Sequence, residues 1–107
     1  MKDKFKIGID YGGTKIEAIL MNDKGDEIKR ERSEYDRNYE SGISTVKKFV
    51  EALKKESNNE ATVGIAIPGY SSKETGLVHN ANSIWLNNKH FKKDLEKNLN
   101  CEVKIMN

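Results

Sequence analysis

The chain has 107 residues, with 19 Lys and Arg against 17 Asp and Glu, a net charge of +2, and 34% charged against 36% hydrophobic residues. That length fits one compact domain, and no run of about 18 apolar residues offers a membrane span. The charges are interspersed, which argues against nucleic acid as the main partner, since that needs a clustered basic stripe.

Met1-Lys2-Asp3-Lys4 carries no apolar signal segment. Cys101, the one cysteine, cannot close an intrachain disulfide and reads as a small buried hydrophobe. A cytoplasmic protein is expected. Lys47-Lys48, Lys54-Lys55 and Lys92-Lys93 read as solvated helix faces.

Phe5, Ile7 and Ile9 alternate with Lys4, Lys6 and Gly8, the period of a half-buried strand ending at Asp10. Tyr11-Gly12-Gly13-Thr14 is a tight turn with two glycines available for positive φ. Ile16, Ala18 and Leu20 make a second alternating strand, so the two form a hairpin. Asn22-Asp23-Lys24-Gly25 is another turn, and Glu27 to Ser33 is a polar edge strand with Ile28 as its main apolar contact. Met21 and Met106 read as core.

Ile43, Val46, Val50 and Leu53 follow helical spacing, predicting a helix from Tyr39 to Glu56 with Asn38 as N-cap and Ser57-Asn58-Asn59 closing it. Val63-Gly64-Ile65-Ala66-Ile67 is a continuous apolar run, predicting a strand buried on both faces and ended by Pro68-Gly69. Tyr70 to Trp85 is a long polar segment. Phe91, Leu95 and Leu99 predict a second helix, and Val103 to Met106 a last strand. Three antiparallel strands followed by helix, strand, helix and strand imply a mixed sheet in a single α/β domain over residues 1–107.

Two stretches can carry chemistry. In Asp10-Tyr11-Gly12-Gly13-Thr14-Lys15 the glycines admit backbone N–H groups close to an anion, Thr14 adds a hydroxyl, Lys15 a positive charge, and Asp10 can hold Mg²⁺ directly or through water. Phosphoryl transfer needs this combination. The same residues also make an ordinary hairpin turn. The glycines are adjacent and a strand follows, so neither the Rossmann fingerprint nor the P-loop applies. The second stretch runs from Pro68 to Asn88, off the carboxyl end of the buried strand, where open α/β sheets bind ligands. Asn80, Asn82, Asn87 and Asn88 both donate and accept, which suits sugar hydroxyls. A polar surface loop with Trp85 as core anchor is the alternative. His79 and His90 have no metal-ligand spacing.

Together these stretches resemble the ROK family of sugar kinases and sugar-responsive repressors. Ile7 to Lys15 is similar to its first phosphate motif, Val63 to Gly69 to its second signature, and Gly76 to Asn87 to the bacterial fructokinase branch. The resemblance implies the N-terminal lobe of an actin-like, ribonuclease-H-like ATPase, and a kinase of the fructokinase or glucokinase type moving the γ-phosphate of ATP to a hexose hydroxyl. Asp10 would act on the Mg²⁺ side, and Gly12, Gly13, Thr14 and Lys15 would face the phosphates. Gly69, Tyr70, Asn80, Ala81, Asn82 and Asn107 would line the sugar side.

In the family an Asp following the position of Asn107 is the catalytic base. The sequence stops one position short of it and without the C-terminal lobe and the family's zinc site. The resemblance therefore implies a fragment inactive alone, with an exposed lobe interface that could drive self-association. The competing expectations are a sugar-sensing repressor lobe and a non-catalytic actin-like domain. With the first strand beginning within about five residues of Met1, no preceding helix-turn-helix is expected.

Overall fold

A computed structural model describes residues 5–106. Met1 to Lys4 and Asn107 lie outside the described residues. The elements are β1 (Phe5–Tyr11), β2 (Lys15–Asn22), β3 (Glu27–Glu34), α1 (Tyr39–Glu56), β4 (Ala61–Ala66), β5 (Tyr70–Ser71), β6 (Val78–His79), α2 (Phe91–Leu99) and β7 (Val103–Met106), with a 3-10 turn at Ile84–Leu86 before α2. The main sheet has the order β3-β2-β1-β4-β7. β1 pairs antiparallel with β2 and parallel with β4, which pairs parallel with β7.

Strand alternation divides this sheet into two unlike faces. Ile7, Ile9, Tyr11, Ile16, Ala18, Leu20, Val63, Ile65 and Val103 are buried. They form one core cluster with Val46, Phe49, Val50 and Leu53 of α1 and Phe91 and Leu95 of α2. The residues between them, including Lys6, Gly8, Asp10, Gly64 and Lys104, take the other face. β4 is therefore buried on one face only, not on both. Gly64 and Ala66 point away from the helices and remain partly accessible. The apolar run arises because small residues fill the second face, not because a second layer covers it. Met21 and Met106 sit beside Gly8 and Gly64 along a groove on that face. Neither is core, and Met106 is exposed. Cys101 is half-buried against the core edge.

β3 contributes no residue to the core. Ile28, expected as its apolar contact, is 48% exposed and falls where the β2–β3 register shifts. Ion pairs from Arg30 to Glu17 of β2 and from Lys29 to Glu56 of α1 tie the strand to its neighbours, and Arg30–Glu27 and Lys29–Glu31 run along it. Such charges also blunt the free edge against pairing with other strands. The Arg30 guanidinium hydrogen-bonded to Glu27 holds that carboxyl below its ordinary range.

α1 begins where Asn38 Oδ1 accepts the Ser41 N–H at 2.8 Å, satisfying one of the free amides of the first turn. Ser57 closes it, and Asn58 and Asn59 follow at φ of 54° and 62°. α2 ends at Asn100, also left-handed at φ 59°. Gly42 in α1 answers a packing demand, because a Cβ there would run into the phenol of Tyr11.

Alanine in place of glycine in a helix interior ordinarily gains up to about 1 kcal/mol. Overpacking a core costs about 1–3 kcal/mol. Gly42→Ala is therefore expected to lower the unfolding free energy by about 1–2 kcal/mol in a urea titration. An unchanged or raised midpoint would show that Tyr11 yields freely.

Candidate functional site

The β1–β2 turn and the segment after β4 lie together at the carboxyl end of two adjacent parallel strands. Asp10 pairs with Ala66 in register, and Pro68-Gly69 follows one residue further on. Crevices outside the carboxyl ends of such strands are where ligands bind.

The turn is a hairpin, as the alternation of its strands requires. Its glycines serve differently from expectation. Neither Gly12 nor Gly13 has positive φ; among the described glycines only Gly25 and Gly76 do. Gly12 is needed for closeness, since a Cβ would lie 2.7 Å from the Lys15 carbonyl oxygen. Its N–H is already committed to that carbonyl at 2.9 Å, so Gly12 does not offer an amide to a ligand. Gly13 is exposed, and a Cβ built there would meet nothing within 4 Å. Among the described residues the N–H groups of Gly13 and Thr14 have no acceptor.

Asp10 is exposed on the open face, opposite Glu17. The Glu17 carboxylate is held by Arg30 at 2.9 Å, whereas Asp10 and Lys15 have no ion-pair partner among the described residues. The turn therefore presents two free amides, a hydroxyl, an ammonium and one unpaired carboxylate. No group of three or more metal-ligating side chains occurs among the described residues. Asp10 alone suits Mg²⁺, which keeps waters and bridges one or two carboxylates to phosphate oxygens.

The second segment is more ordered than a polar loop. β5 and β6 form a small hairpin, with Tyr70 opposite His79. Gly69 is tucked beneath it, where a Cβ would lie 2.8 Å from the Ala81 nitrogen. The four asparagines serve differently. Asn87 accepts the Ala81 N–H at 2.9 Å and donates to the Ala81 carbonyl at 3.3 Å. Asn88 is left-handed at φ 63° and donates its backbone N–H to Val78. Asn87 shapes the loop through its side chain, and Asn88 and Asn80, left-handed at φ 57°, through their backbone. Asn80 and Asn82 are exposed and carry their amides outward, and Ala81 between them is buried. Tyr70 is exposed, with its ring 5.6 Å from that of His79. Of the candidate sugar-side residues, Gly69, Tyr70, Asn80, Ala81 and Asn82 are thus contiguous in space, and Asn107 lies outside the described residues.

An aromatic cluster, unannounced by any local motif, joins the two stretches. Tyr11 is buried, and its hydroxyl accepts the Trp85 indole N–H at 3.0 Å. The Tyr35 hydroxyl donates to the Gly12 carbonyl at 2.7 Å. The rings of Tyr35 and Phe91 each stand edge-on to Tyr11 at 5.4 Å, and the Arg37 guanidinium lies 5.5 Å over Trp85. Tyr39 donates to Asp94, tying α1 to α2. Burial pushes the Tyr11 and Tyr39 phenols well above their ordinary range. The Asp94 carboxylate adds to the effect on Tyr39, while the Trp85 hydrogen bond works against it on Tyr11.

A family model described as "ROK family" matches residues 6–107. The chain is 35% identical over 101 residues to an N-acetyl-D-glucosamine kinase of Mannheimia succiniciproducens, covering 94% of this chain and 33% of that protein. It is 33% identical over 103 residues to the enzyme of the same name from Pasteurella multocida, covering 95% and 34%. The chain thus spans about a third of the length of the curated relatives it matches. Among solved structures, a ROK hexokinase from Thermus thermophilus superposes with a TM-score of 0.80 at 20% identity, over 96% of this chain and 35% of that one. An inorganic polyphosphate/ATP-glucomannokinase from Arthrobacter sp. strain KM superposes with a TM-score of 0.76 at 30% identity, over 96% and 44%. The shared fold is the actin-like ATPase fold that the strand order also describes.

The raised phenols set a pH dependence. Unfolded tyrosines ionise near pH 10.0 while the folded ones stay protonated. Their contribution is therefore whole below that pH and declines as pH rises above it. Tyr39→Phe is expected to flatten the loss of unfolding free energy between pH 9 and 11 relative to wild type, read by urea titration at each pH. Parallel curves would remove Tyr39 as a source.

Proposed function

This chain belongs to the ROK family, and on that premise we propose that it forms the first lobe of an ATP-dependent hexose kinase. What supports the reading most directly is the pairing, at one sheet end, of free Gly13 and Thr14 amides beside an unpaired Asp10 carboxylate. The Trp85–Tyr11 hydrogen bond joins that turn to the segment bearing Asn80 and Asn82.

In this reading Gly13 N–H, Thr14 N–H and hydroxyl, and Lys15 hold phosphate oxygens, with Gly12 shaping the turn. Asp10 would hold Mg²⁺, which when bound supplies charge neutralisation at the phosphates. Asn80 and Asn82 orient the sugar, and Tyr70 offers an aromatic ring to its face. Gly69 and Ala81 set the backbone that carries them. These residues bind and orient, and none of them takes the proton of the attacking hydroxyl. Phosphoryl transfer depends mainly on such positioning and on charge stabilisation. The hexose is proposed to be N-acetyl-D-glucosamine, on the strength of the named curated relatives. Fructose, glucose and mannose, which the fructokinase-like Gly76 to Asn87 stretch also suits, complete the panel.

In the whole gene product carrying this sequence, Asp10→Asn is expected to lower turnover at least about 100-fold, as loss of a charge-stabilising group in a site does. Its thermal midpoint should stay near that of wild type, because the Asp10 side chain is exposed and unpaired. Coupled ADP release over the hexose panel reads both activity and substrate. Wild-type turnover by the variant removes Asp10 from the mechanism. Absence of ADP release with any hexose favours a sugar-sensing or non-catalytic lobe.

A further inference from the structure

Gly13 offers its N–H from the middle of an exposed turn, with no contact of its own to aim it. The preceding carbonyl, that of Gly12, belongs to the same peptide unit. A trans peptide is planar, so its C=O and N–H point in opposite directions. Whatever fixes the Gly12 carbonyl therefore also fixes where the Gly13 N–H points. That carbonyl accepts the Tyr35 hydroxyl at 2.7 Å.

We propose that Tyr35 is a positioning residue, whose hydroxyl, by holding the Gly12 carbonyl on the protein side, turns the Gly13 N–H outward toward a bound phosphate group. The inference rests on the phosphate-binding reading of the turn.

Glycines on both sides of a peptide allow it to flip at little steric cost, since each adopts either sign of φ readily. The Gly12–Gly13 unit is the one place in this turn where that freedom exists on both sides. The Gly12 N–H is anchored to Lys15 at 2.9 Å, which fixes the peptide before it but not the one after. Tyr35 supplies the second anchor. It sits just past β3, half-buried, with its ring edge-on to Tyr11 at 5.4 Å and to Trp85 at 6.2 Å. Its ring is thus held independently of its hydroxyl, and Tyr35→Phe removes the anchor while leaving the packing.

The test uses the whole gene product carrying this sequence, inorganic tripolyphosphate as the probe, and the amide NMR signals of Gly13 and Thr14 together with titration calorimetry. In wild type, tripolyphosphate should shift both signals. In Tyr35→Phe the Gly13 signal should already be displaced in the free protein, and affinity should fall about three- to ten-fold, as loss of a single hydrogen bond does. Tyr39→Phe is the control, since it also loses a half-buried tyrosine hydroxyl bond, to Asp94, one that does not involve the Gly12–Gly13 peptide. It should retain wild-type affinity.

Wild-type affinity and Gly13 shifts in Tyr35→Phe overturn the inference and leave the phosphate reading standing. An equal loss in Tyr39→Phe overturns it too, because the effect is then general loosening. No response of Gly13 and Thr14 in wild type overturns the phosphate reading, and the inference falls with it.

Discussion

Tyr11 has to be buried, and every other part of the site is arranged around that requirement. It is the last residue of β1, with a phenol ring that reaches the N-terminal turn of α1. Only a glycine at position 42 leaves room for it there. The hydroxyl, once inside, needs a partner, because an unpaired buried polar group costs about 1–3 kcal/mol. Trp85, 74 positions away in sequence, supplies it. One buried ring thereby sets the approach of α1, the position of the loop before α2, and the end of the hairpin.

Strand alternation makes Asp10 and Tyr11 opposites. Consecutive residues of a strand face opposite sides of the sheet, so the exposed carboxylate and the buried ring leave the same stretch of backbone in opposite directions. Asp10 can remain unpaired on the open face because it is exposed to solvent there, while Tyr11 anchors the backbone from the other side. The open face is low and accessible there, with Gly8 and Gly64 in register on neighbouring strands. Charge on that face is settled one strand further out, where Arg30 neutralises Glu17 and leaves Asp10 alone.

Much of this was legible in the sequence where the signal is local and periodic. Both helices were bounded correctly, α1 by its apolar spacing and the Asn38 cap and α2 by apolar spacing alone, because those signals lie within a few residues. The hairpin and the last strand followed from alternation and turn residues. Errors arose where one pattern has two causes. The apolar run of β4 looked like burial on both faces, yet Gly64 and Ala66 are small rather than covered. The paired glycines of the turn suggested positive φ, yet Gly12 answers a steric demand. Four asparagines looked alike, yet Asn87 is bonded through its side chain and Asn80 and Asn88 are left-handed turn residues. Tyr35 could not be found at all, since its partner lies 23 positions away and no spacing rule connects them. The roles of Asp10, Thr14, Lys15, Asn80 and Asn82 stay proposals that the geometry makes specific.

The left-handed positions follow a rule of their own. Asn58, Asn59, Asn80, Asn88 and Asn100 all have positive φ, while only Gly25 and Gly76 do so among the described glycines. Asparagine tolerates that region and limits the freedom of the unfolded chain, where glycine would enlarge it. Glycine is instead placed where no side chain fits, at 12, 42 and 69. Handedness is thus carried mostly by asparagine, with Gly25 and Gly76 sharing it, and proximity by glycine, and the exchange between them runs one way. An asparagine at a left-handed turn can give way to glycine with its backbone intact, but an asparagine put in place of Gly12, Gly42 or Gly69 has nowhere to go. A substitution map of this chain should therefore be lopsided, with its intolerant glycines gathered around the ends of β1 and β4 and its permissive turns, Asn80 beside Gly69 apart, spread over the remaining surface.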